Sequence, residues 1–252
     1  MLRIVTTCLL LVLSLASVSS EKVYLSSLEW PPYSGEQLPE GGASIAIARK
    51  AFEVMGYELV VSFYPWSRAV HKAKDPGSRY AGYFPEYYSA ELETDFYFSD
   101  EIGSGPLGLI ENVDRPISWN AISDLTNYSV GVVRDYVNTK AFDQAVKRGE
   151  QEVQEVTSDK QNIFKVAGGR LPLAIIDHYV FDYLMSTDAS LANYKDKVQL
   201  NGKLLEDKLL FVCFKRNKKG SELQKIFNEG VAQLDVDQLM QSYFEALGVN
   251  PK

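Results

Sequence analysis

The 252-residue chain is 46% hydrophobic and 23% charged, with a net charge of −7. That is enough apolar sequence for a full core, and the acidic balance makes nucleic acid and anionic membrane surfaces poor partners. Two cysteines and two histidines, without metal-ligand spacing, leave no basis for a disulfide framework or a metal centre.

The first residues have the pattern of an export signal. Arg3 supplies the charge, Ile4 to Ala16 form an apolar run broken by Thr6, Thr7 and Ser14, and Ser17-Val18-Ser19-Ser20 offers a small-residue cleavage site. The run of 13 residues is short of the about 20 that a membrane span needs. No lipoprotein box precedes Cys8. Residues 1–20 therefore read as a signal peptide, and the remaining 232, starting at Glu21 with net charge −8, as an exported protein. No later segment is apolar enough to cross a bilayer. Cys213 then stands alone in the run Leu209 to Phe214, where packing is its expected role.

Strands and helices alternate along the rest of the chain, the mark of an α/β fold. Val23 to Leu28 reads as a strand stopped by Pro31 and Pro32. Ser44 to Met55 is a helix with Ile45, Ala48, Phe52 and Met55 on one face and Gly56 as its stop. Leu59 to Phe63 is the next strand, Pro65 starts a helix through Lys74, and Tyr80 to Phe84 is a third strand. The pattern returns with strand Ser129 to Val133, helices near Thr139 to Lys147 and Ser158 to Val166, strand Leu173 to Asp177 and a helix through Leu184. Leu209 to Phe214 is a late strand. Two helices end the chain, the first expected to start at a Ser221/Gln224 capping box and the second to stop at Gly248.

Two α/β units in one chain leave a cleft, and ligands in such sheets sit beyond the carboxyl ends of the strands. The segments just past each strand are Glu29 to Tyr33, Tyr64 to Arg68, Phe84 to Tyr87, Arg134-Asp135-Tyr136 and Asp177-His178. They contain Trp30 and Trp66 and charges of both signs.

In order and spacing these landmarks resemble the extracellular solute-binding proteins of family 3, the periplasmic amino-acid receptors of ABC importers. The resemblance runs through Glu29-Trp30-Pro31-Pro32-Tyr33, Phe98-Ser99-Asp100, Asp124-Leu125 with Val130-Gly131-Val132, Gly169-Arg170-Leu171 before Asp177, and the C-terminal helix pair. Tyr64-Pro65-Trp66-Ser67-Arg68-Ala69 is similar to a divergent branch. The resemblance implies a periplasmic binding protein-like type II fold, with two α/β lobes joined by two hinge strands. Lobe 1 would comprise residues 21–107 plus 215–252, and lobe 2 residues 108–214. It further implies a monomer that closes on a small-molecule solute, an inner-membrane ABC permease as partner, and no cofactor. By position it places Trp30 and Trp66 on the ligand as stacking aromatics and Asp177 on a ligand ammonium.

This sequence departs from the family where the ligand carboxylate is held. The family's arginine, six residues before Phe98-Ser99-Asp100, is Leu92, and its Ser/Thr pattern is replaced by Phe84, Glu86 and Tyr87. An ordinary α-amino acid is therefore in question. Arg68, in the first turn of a helix, is one replacement for that arginine, and Arg134, with Tyr136 two residues on, is another. The competing assignments are surface pairing of Arg68 with Glu29 or Glu86, and pairing of Asp177 with Arg134 or Arg170. Gly103-Ser104-Gly105 lacks the Lys-Ser/Thr of a phosphate loop and suits a hinge. Two other functions fit the same scaffold. A dehydratase-like enzyme would need an acid/base pair such as Glu86 with His178, and no hydrolase motif supports it. A ligand sensor would serve a signalling partner instead of a permease.

Overall fold

The computed structural model describes Ser20–Val249. The signal-peptide reading lies outside the described residues except for Ser20. Among the described residues no helix is long and apolar enough to cross a membrane.

The first lobe is built on β1 (Glu21–Ser27), β2 (Tyr57–Phe63) and β3 (Gly82–Tyr87), all parallel and joined through α1 (Ala43–Val54) and α2 (Trp66–Lys74). The α1 face read from the sequence is the one that packs. Ile45, Ala48 and Phe52 are fully buried, and the Phe52 ring meets those of Phe214 and Phe227 at 6.3 and 5.0 Å. Burying each such ring stabilises the lobe by about 2–3 kcal/mol. Met55 falls just past the helix as its C-terminal cap, and Gly56 follows it with φ +81°. Phe96–Phe98 forms a short β4, which the sequence reading did not pick out.

The second lobe has β5 (Ser104–Asn112), β6 (Val130–Val133), β7 (Val153–Val156), β8 (Leu173–Asp177) and β9 (Val198–Leu200). β7, β6 and β8 are parallel, while β5 runs antiparallel to β8 and β9. Its helices are α3 (Lys140–Lys147), α4 (Asp159–Ala167) and α5 (His178–Thr187).

One long strand, β10 (Glu206–Lys215), belongs to both sheets. Glu206 to Leu209 pair with β5, and from Leu210 onward the strand pairs with β3 and β4. The chain between β4 and β5 crosses beside it. There Ile102 N–H bonds Leu210 O at 2.8 Å, Leu210 N–H bonds Gly103 O at 2.8 Å, and Ser99 N–H bonds Val212 O at 2.9 Å. Gly103 holds φ +125°, a conformation that a side chain resists, so the glycine read as a hinge element sits at the crossover. The two-lobed α/β architecture with two crossover strands is thus the one observed.

The C-terminal helices α6 (Lys218–Val231) and α7 (Val236–Ala246) return to α1 of the first lobe. The capping expectation is corrected here. Asn217, not Ser221, caps α6, accepting from Gly220 N–H at 2.8 Å, and Ser221 already lies in the first turn. Cys213 is a fully buried free thiol on β10.

Candidate ligand-binding cleft

Where the lobes meet, a cavity of about 20 Å³ is lined by Leu28, Trp30, Trp66, Pro85, Glu86 and Tyr87 of the first lobe, Tyr136 and Val137 of the second, and Leu210 of the crossover strand. It has room for about one water-sized group. Through Tyr136 and Val137 it adjoins a wider groove of about 1040 Å³, walled by Tyr88, Leu92, Lys140, Asp143, Lys208 and Phe211 among others.

Strand ends set these positions. Trp30 follows β1 and stacks on Tyr33, 4.5 Å between centroids, with Tyr87 edge-on at 5.9 Å. Trp66 is the first residue of α2. Its ring meets Tyr83 of its own lobe at 5.3 Å and Tyr136 of the other at 5.8 Å, and its indole N–H donates to Asp135 O at 2.9 Å. Ser67 Oγ donates to the Asp135 carboxylate in the same contact. The Trp30 N–H is buried without a hydrogen bond, although it lies near enough to Asp159 to favour that residue's charged form.

Three carboxyl groups are buried around this junction. Glu86, near the end of β3, accepts from Tyr83 Oη at 3.0 Å and Tyr87 N–H at 2.9 Å. Burial pushes its pKa up to about 8, against the opposing pull of those hydrogen bonds and of Lys208. Asp159, at the start of α4, faces Tyr136 Oη at 3.4 Å, and burial lifts it to about 7. Asp177 is lifted to about 7 for the same reason. Its Oδ1 caps α5 through Tyr179 and Val180 N–H, and its Oδ2 accepts from Tyr33 Oη at 3.1 Å and Tyr87 Oη at 3.2 Å. Desolvation dominates all three, and among the described residues no lysine or arginine forms an ion pair with any of them.

Of the residues singled out from the sequence, the fold brings Trp30, Trp66, Glu86 and Tyr136 together on the cavity. The others lie elsewhere. Phe84 is fully buried in the core of the first lobe. Arg68 is exposed, its guanidinium 5.4 Å from the Tyr64 ring centroid, because its place on α2 turns it outward. Arg134 is exposed and pairs with Glu155 at 3.0 Å, so it does not neutralise Asp177. Asp177 is buried beside the cleft, with its acceptor oxygens engaged by tyrosine hydroxyls and helix N–H groups. His178 begins α5 behind Gly108, where an added Cβ would meet its Nε2 at 2.1 Å, and it does not line the cavity with Glu86. Asp135, Asp159, Tyr33 and Tyr87 escaped selection as site residues. Three of them sit inside quoted segments, but a hydrogen bond across the cleft has no sequence signal.

No family model and no curated protein matches the chain. Solved structures do. A histidine kinase sensor domain with similarity to periplasmic binding proteins aligns at TM-score 0.74 and 16% identity, covering 90% of this chain and 96% of that one. The glutamate-bound GluR0 ligand-binding core from Nostoc punctiforme aligns at 0.70 and 17%, covering 90% and 100%. An amino acid ABC transporter substrate-binding protein from Streptococcus pneumoniae, bound to L-arginine, aligns at 0.68 and 15%, covering 91% and 97%. At these identities the likeness establishes the fold, and the resemblance read from the sequence holds at that level: the chain has a type II periplasmic binding protein-like fold, with its cavity where the two lobes meet.

Proposed function

We propose that this protein captures a small polar solute between its lobes in the periplasm and presents the closed form to an inner-membrane ABC permease. The observation that carries the reading is the cavity wall. Aromatic rings from both lobes, with Leu210 of the crossover strand, converge on one cavity, and the lobes are joined by two strands bonded at a glycine-containing hinge. Such a joint lets a ligand touching both sides favour closure. The amino-acid-bound transport protein among the solved structures supports the same reading. We read the chain as a binding protein, a reading supported by the ligand-binding proteins among the solved structures that share its fold.

A sensing role is the second reading, favoured by the histidine kinase sensor domain that shares the fold. Both roles need solute capture, so one experiment addresses their common part. A thermal-shift screen of amines, amino acids, organic acids and sugars is expected to find a solute that raises the melting temperature by several degrees. Trp30→Ala should remove that shift. A screen in which no class of solute stabilises the protein would count against the reading.

A further inference from the structure

We propose that the solute is an organic cation, an alkylammonium or guanidinium group held by Glu86 inside a cage of Trp30, Trp66, Tyr87 and Tyr136, and that it needs no carboxylate. This rests on the solute-capture reading above and names the class of ligand for that site.

Four of the nine residues lining the cavity are aromatic, one is the carboxylate Glu86, and none is cationic. Ring faces attract alkylammonium and guanidinium groups and give nothing comparable to an anion. Glu86 is 5% exposed and has no ion pair among the described residues. Lys208, whose charge acts on it, holds Glu206 at 3.4 Å and lies over the Tyr87 ring at 5.4 Å. With one hydroxyl and one amide donor in contact and Lys208 acting only at longer range, the charged form of Glu86 is disfavoured until a positive charge joins it. Burial accordingly keeps its proton affinity high.

The other half of an amino-acid site is missing. Arg68 and Arg134 both face solvent, and the position from which the family resemblance would have supplied an arginine is Leu92, on the wall of the adjoining groove. That groove offers three lysines, Lys140, Lys147 and Lys208, against five acids, so it does not supply an anion site either. As the lobes stand the small cavity admits one ammonium-sized group, and a larger head, with a tail along the groove past Tyr136 and Val137, enters once the lobes part.

The test is titration calorimetry of the exported chain with putrescine, choline, agmatine and L-arginine, beside succinate, L-glutamate and glucose. At least one of the four cations should bind with one-to-one stoichiometry. Agmatine, which is arginine without its carboxylate, should bind at least as tightly as L-arginine. Glu86→Gln should weaken the bound cation at least tenfold while melting no lower than the parent protein, since it removes a buried ionisable group and keeps its shape. Preference for succinate, glutamate or glucose, or cation binding indifferent to Glu86→Gln, would overturn the cation assignment and leave solute capture standing. Failure of every probe, charged or neutral, would overturn both.

Discussion

Tyr33 in the first lobe donates its hydroxyl to Asp177 Oδ2 in the second at 3.1 Å, joining residues 144 apart in sequence. Tyr87 donates to the same oxygen at 3.2 Å, so two tyrosines of one lobe converge on a carboxyl group that also caps a helix of the other. Asp177 is thus part of the closing contact itself. Replacing it by alanine orphans two backbone N–H groups and two phenol hydroxyls. The expected loss is about 3 kcal/mol of unfolding free energy in denaturant titration. Asp177→Asn keeps an acceptor for the helix cap and should lose clearly less. Equal losses would show that the side-chain cap and tyrosine contacts are not what Asp177 contributes.

Gly105 sits directly under this contact. A Cβ there would lie 2.1 Å from Asp177 Oδ2 and 2.4 Å from Tyr33 Oη. Gly105→Ala should force the tyrosine and the carboxyl apart and favour the open form. Small-angle scattering should then report a larger radius of gyration, and solute affinity should fall at least tenfold. An unchanged radius with unchanged affinity would mean that the contact does not control closure.

The Trp66 indole N–H reaches across the cleft to Asp135 O at 2.9 Å. Trp66→Phe keeps much of the ring surface and deletes the donor. The closed form should lose about 1 kcal/mol, read as roughly a fivefold weaker solute affinity with little change in the melting temperature of the free protein.

Stability should depend on pH in an uncommon direction. Glu86, Asp159 and Asp177 bind protons more tightly folded, at about 8, 7 and 7, than their ordinary values of 4.5, 3.8 and 3.8. Above those ordinary values the unfolded chain releases protons that the folded chain retains. The stabilising contribution is complete below about pH 4 and is lost as pH rises through 7 and 8. Between about pH 5.5 and 8.5, where Asp188, held near 2 by Lys160, is ionised throughout, the solute-free protein should lose on the order of several kcal/mol. Glu86→Gln should flatten the upper part of that slope. A melting temperature that rises over the same interval would contradict the assignment of these groups as buried and unpaired.

Much of the framework was legible in the sequence because periodicity and punctuation report it directly. Strand Leu173–Asp177 was read with its final bounds, and α1 with its buried face, since apolar runs ending at a charge or a glycine leave few alternatives. Strands β4, β5, β7 and β9 were harder. β4, β7 and β9 have only three or four residues each, and β5, though inside the sheet, is interrupted by Gly105, Pro106 and Gly108. At the site, position past a strand located Trp30, Trp66, Glu86 and Tyr136. It could not give the direction of a side chain. Arg68 shares a helical turn with Trp66 yet points to solvent, and Asp177 is spent on a cap and two hydroxyls supplied by residues 33 and 87.

The central claim is that the lobes move together on a solute, and an intramolecular distance tests it most directly. Spin labels on Lys50→Cys in the first lobe and Glu152→Cys in the second would sit at exposed positions, with native Cys213 fully buried and protected from labelling. Pulsed electron resonance on that pair, with and without the solute that stabilises the protein most, should show the distance distribution narrowing to a single closed population when the site is filled. A distribution that stays the same at saturation would contradict capture by closure.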